Sequence, residues 1–131
     1  MINCEDEVYT KIVESLRVKF PGINLSTKYI STPSAFPHVS IIQSDNSIIP
    51  SHTTTVSEMA HVVFEVNIYS NKTFDNKSEC ESIAQHIDEI LFFMNFRRLT
   101  MSPVPNMEDA KVYRIVARYR SATDGNYFYR R

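Results

Sequence analysis

The chain has 131 residues, 43% of them apolar and 22% charged, and a formal net charge of −1. This apolar content fills one core, the length is too short for a second, and the charge balance excludes bulk disorder and argues against a generally cationic nucleic-acid binder. Glycine occurs only at Gly22 and Gly125, which excludes the glycine-rich loops that cradle phosphates or dinucleotides.

In chain order, the opening MINCEDEVYT is acidic and lacks the apolar centre of a signal peptide. With only Cys4 and Cys80, a reducing cytosol and free thiols are expected. Residues 5–19 are predicted to be a helix: Val8, Ile12 and Leu16 form one apolar stripe, acids crowd the first turn, and Pro21 and Gly22 stop it. A short strand is expected over 25–30 and a firmer one over 37–43, with Val39 and Ile41 on one face. Residues 44–59 are rich in Ser, Thr and Asn, lack a clear period, and read as a long loop or an extended hairpin arm. Such an arm is expected to be mobile until it orders on a neighbour.

Residues 60–70 alternate most cleanly, with Val62, Phe64, Val66 and Ile68 on one face. A second helix is expected over 77–95, with Ile83, Ile87, Ile90, Leu91 and Met94 on one side. Its stretch Ile90–Met94 is far short of the roughly 20 apolar residues that a membrane helix needs. Two more strands, 97–102 and 111–121, precede a turn at Asp124–Tyr127. The expected fold is therefore α+β: one domain over 1–131, with a mostly antiparallel sheet of four to five strands and two helices packed on one face.

The residues offer little chemistry. None of His38, His52, His61 and His86 has the spacing of a zinc site, and no cofactor or metal is implied. Cys80 and His86 are six apart and face different ways on a helix, so Cys80 is read as packing. Asp88 and Glu89 are read as solvated charges rather than an acid–base pair. No catalytic residue is expected.

Charge gives the candidate surfaces. Residues 1–96 carry 6 Lys/Arg and 12 Asp/Glu, while residues 97–131 carry 8 and 3. Arg114, Arg118 and Arg120 share one side of the last long strand, and Arg130 and Arg131 end the chain. The strand arginines have three open readings: pairing with Glu65 or other acids of the same sheet, contact with a neighbouring subunit, or contact with nucleic acid. On the acidic side, Asp45 and Glu58 flank the polar arm.

Three stretches, FPHVSIIQSDN (36–46), HVVFEVNIYSN (61–71) running through a helix to MNFRRLTMSPVPN (94–106), and KVYRIVARYRS (111–121), carry a likeness. In their order and spacing the chain resembles the small tail-terminator and head–tail joining proteins of long-tailed bacteriophages and prophages. The resemblance implies a six-fold ring that caps the tail tube, ends its polymerisation and joins tail to head. The implied partners are copies of the chain, the tail tube protein and head–tail connector proteins, with non-specific DNA contact in the ring lumen and no membrane. The implied place is the host bacterial cytoplasm during assembly, then the virion tail. The alternatives are another connector component, or a small nucleic-acid-binding module using the C-terminal arginines.

Overall fold

The computed structural model describes residues 1–30, 33–55, 57–105 and 111–130. The elements run α1 (Glu5–Lys19), β1 (Asn24–Ser26), β2 (His38–Ile48), a 3-10 turn (Pro50–His52), β3 (Ala60–Ser70), α2 (Asn76–Phe93), β4 (Arg97–Pro103), β5 (Tyr113–Thr123) and β6 (Phe128–Tyr129). The sheet order is β1-β2-β3-β5-β4, with the two-residue β6 also on β5. Every pairing is antiparallel except β1 with β2, so the sheet is mixed rather than purely antiparallel.

Both helices lie on one face, because each carries one apolar stripe and the sheet carries one apolar face. Val8, Ile12 and Leu16 of α1 and Ile83, Ile87 and Leu91 of α2 are almost fully buried. They close on Val62, Phe64, Val66 and Ile68 of β3 and on Ile115, Ala117 and Tyr119 of β5. Each large apolar side chain so buried contributes about 1.5–3 kcal/mol. Phe64 and Phe96 meet edge to face at 5.7 Å in the middle of this core.

The ends of α2 follow from local chemistry. Its C-terminus closes as a Schellman motif: Phe96 N donates to Leu91 O at 2.8 Å and Asn95 N to Phe92 O at 3.1 Å. That motif needs a left-handed residue, and Asn95 supplies it at φ 65°. The motif turns the chain at once into β4.

One strand differs from expectation, and the polar 44–59 segment takes one of its two expected forms. The strand expected over 25–30 is Asn24–Ser26 only. Ser26 Oγ ends it by donating to Lys28 O at 2.9 Å and meeting His38 Nε2 at 3.1 Å. The described residues of the 44–59 segment, 44–55 and 57–59, form the upper part of a β2–β3 hairpin, the extended arm, with β2 continuing to Ile48, which pairs with Ala60. A bulge between Gln43 and Asp45 switches which residues face inward, from Val39, Ile41 and Gln43 to Asn46 and Ile48. Above it, Ile49 N donates to Met59 O at 2.8 Å, and Thr53 Oγ1 bonds both backbone groups of Met59.

Candidate assembly surfaces

The sheet face away from the helices carries the charged candidates. Register places them in cross-strand rows: Tyr69 beside Arg114, Glu65 beside Arg118, Val63 beside Arg120. The side chains then link into a ladder. Arg118 Nη2 lies 3.0 Å from Glu65 Oε1, Asn67 Nδ2 donates to Glu65 Oε2 at 3.2 Å, and Arg114 Nη2 donates to Asn67 Oδ1 at 2.7 Å. Arg114 is also stacked against two rings, 5.6 Å from the centroid of Tyr29 and 5.5 Å from that of Tyr69. For Arg114 and Arg118, pairing within the sheet is therefore what the structure contains. Arg120 is half-buried on the same face.

The other candidates lie elsewhere. Arg130 donates to the Phe92 carbonyl at the end of α2 and stacks over the Phe92 ring at 4.0 Å, so it caps a helix C-terminus, where a cation is favoured. Arg131 lies outside the described residues. Glu58 holds the chain's start: its Oε2 accepts Ile2 N at 3.2 Å and its Oε1 lies 3.6 Å from the Met1 amine. Asn46 on the facing strand donates to Ile2 O at 2.8 Å, so the first residues are strapped to the hairpin arm. Asp45 is exposed on the outer face, accepting the Ser47 hydroxyl at 2.7 Å.

Asp88 is more than a solvated charge. Its Oδ1 accepts the Tyr119 hydroxyl at 2.9 Å and lies 3.4 Å from Arg98 Nη1. Cys80 is fully buried under the sheet, its thiol directed at Tyr113 O at 3.5 Å, and burial pushes its pKa up to about 12. Cys4 is likewise buried and pushed up to about 11, by burial first, with the negative charge of Glu7 and Glu5 acting in the same direction. Protonated, enclosed thiols are poor nucleophiles. Among the described residues, no group of three His, Cys, Asp or Glu side chains is placed to hold a metal ion, and no helix is long and apolar enough to cross a membrane.

Sequence reasoning missed Arg97. It opens the edge strand β4, is exposed, and lies directly across from Arg120. The signal was the Arg97–Arg98 pair just after a helix stop. Only register shows that Arg97 points to the outer face and Arg98 to the helix side.

No family model and no curated protein matches the chain. Among solved structures it is similar to a chain of one described as "Virion of native gene transfer agent (GTA) particle", with a TM-score of 0.62 and 15% identity over 86% of this chain and 88% of that one. The two share a fold.

Proposed function

We propose that the chain is a structural subunit of a phage or prophage tail, forming a six-fold ring that caps the tail tube, ends its polymerisation and joins tail to head. The observation that carries this reading is the fold, common over nearly the whole length to a chain from a virion particle. The pattern of the 36–46, 61–71 and 111–121 stretches supports the narrower tail-terminator role. The subunit works by contact, without catalysis, and its partners are its own copies, the tube protein and a connector protein. It assembles in the host cytoplasm and ends in the virion tail. Arg114 and Arg118 are engaged inside the sheet, which favours a protein-assembly role over a DNA-reading one.

Negative-stain images and a mass measurement at rising protein concentration, with and without cognate tail tubes, test this. Rings, free or seated on tube ends, are the expected result. A protein that stays monomeric and never binds a tube end contradicts it.

A further inference from the structure

We infer that neighbouring copies join edge to edge, with β4 of one copy lying against the open part of β2, Ile41–Ile48, of the next. This rests on the ring assembly proposed above and specifies its junction. Both edges are available among the described residues. β1 pairs with β2 only at residues 38–40, so β2 from Ile41 onward has a strand on one side alone. At the other end of the sheet, β4 pairs only with β5. Such edges present unpaired N–H and C=O groups that another strand can complete. The directions also fit: β2 and β5 run one way and β3 and β4 the other, so rotating a copy about an axis along the strands brings β4 antiparallel to the next β2.

Register supplies the complementarity. One outer-face row runs Asp45, Val63, Arg120, Arg97, ending in an acid at one edge and a base at the other. Continued into the next copy at the same level, Arg97 meets Asp45. Arg97 sits opposite Arg120, and like charges directly across a strand pair repel, so an acid on the far side of Arg97 relieves that pairing. A helix-side row runs Ile48, Ala60, Thr123, Phe128, apolar at both ends, and Ile48 is 56% exposed. Both edges are bulged near the charged row, β2 between Gln43 and Asp45 and β4 between Arg98 and Thr100, so both kink at about the same level. Bulges, arginines and Pro103 blunt an edge against indiscriminate pairing and admit a partner of matching shape.

Two sets of variants of the full chain test this. Asp45 and Arg97 are both exposed, so reversing either leaves the core intact. Asp45→Arg or Arg97→Asp alone is expected to weaken self-association, or co-pelleting with tail tubes, by about tenfold or more, and the two together to restore it. Under mild oxidation, Asp45→Cys with Arg97→Cys is expected to give a ladder of disulfide-linked multimers, since Cys4 and Cys80 are enclosed. Asp45→Cys with Val18→Cys, which places the second thiol on α1, should not. If rings form undiminished with either reversal, or both cysteine pairs crosslink equally, the junction is wrong while the ring stands. If the unaltered chain forms no rings, free or on tubes, both fall.

Discussion

Tyr119, 1% exposed in the centre of β5, donates its phenolic hydrogen to Oδ1 of Asp88 on α2 at 2.9 Å. The same oxygen lies 3.4 Å from Arg98 on β4, so one carboxylate fastens a helix to two strands. Burial first, and the hydrogen bond to Asp88 second, hold the phenol protonated far above its usual range.

Tyr119→Phe removes the donor and leaves Asp88 to Arg98 and water. The expected cost is about 1–2 kcal/mol of unfolding free energy, read from the urea midpoint. Asp88→Ala should cost at least as much, because the buried phenol loses its acceptor. A loss of a few tenths for both would mean that the contact is not held in solution.

Arg114 and Arg118 should separate in the same assay. Arg118→Ala loses an ion pair whose arginine is 56% exposed, worth about 0.2–1 kcal/mol. Arg114→Ala loses a bond to Asn67 and contacts with two rings, and should cost more, roughly 1–2 kcal/mol. The reverse order would show that the ladder is not the stabilising element of the outer face.

The thiols should be silent in the native protein. Cys4 and Cys80, pushed up to about 11 and about 12 by burial, present almost no thiolate at neutral pH. A disulfide reagent such as Ellman's should react only as the protein unfolds, then titrate both. Fast native reaction at either would mean that the helix layer opens.

His38 should make the protein sensitive to acid. It is 6% exposed, and burial holds its pKa below the usual 6.5. Below pH 6.5 the unfolded chain takes up a proton that folded His38 refuses, so stability falls as the pH drops through this window until folded His38 itself titrates. His38→Gln should lose less stability than the unaltered chain between about pH 7.5 and about pH 5.5, by urea midpoints. Equal losses would place the acid sensitivity in other groups.

Periodicity made most of the fold legible. The stripe of α1, the alternation of β3 and the run Ile115, Ala117 and Tyr119 of β5 each bury a set of apolar residues, so the pattern survives in one dimension. The upper half of β2 was not legible as strand, because its bulge switches the inward set and that set then includes the polar Asn46. Asn46 lies exposed on the helix-side face, and its partner there is one the local sequence does not carry: it bonds Ile2 O, far away in the chain. The outer face followed the same rule. That arginines line one side of β5 was legible, but that Glu65 and Asn67 engage two of them, and that Arg97 shares a row with Asp45, depends on which strands are neighbours.

Polymerising cognate tube protein with and without this chain, and imaging the products, tests whether the chain closes a tail tube as proposed. The expected tubes stop lengthening and carry one ring of this chain at a single end, with Asp45→Arg or Arg97→Asp weakening the cap and the double reversal restoring it. Tubes that lengthen equally in its presence, with bare ends, would contradict it.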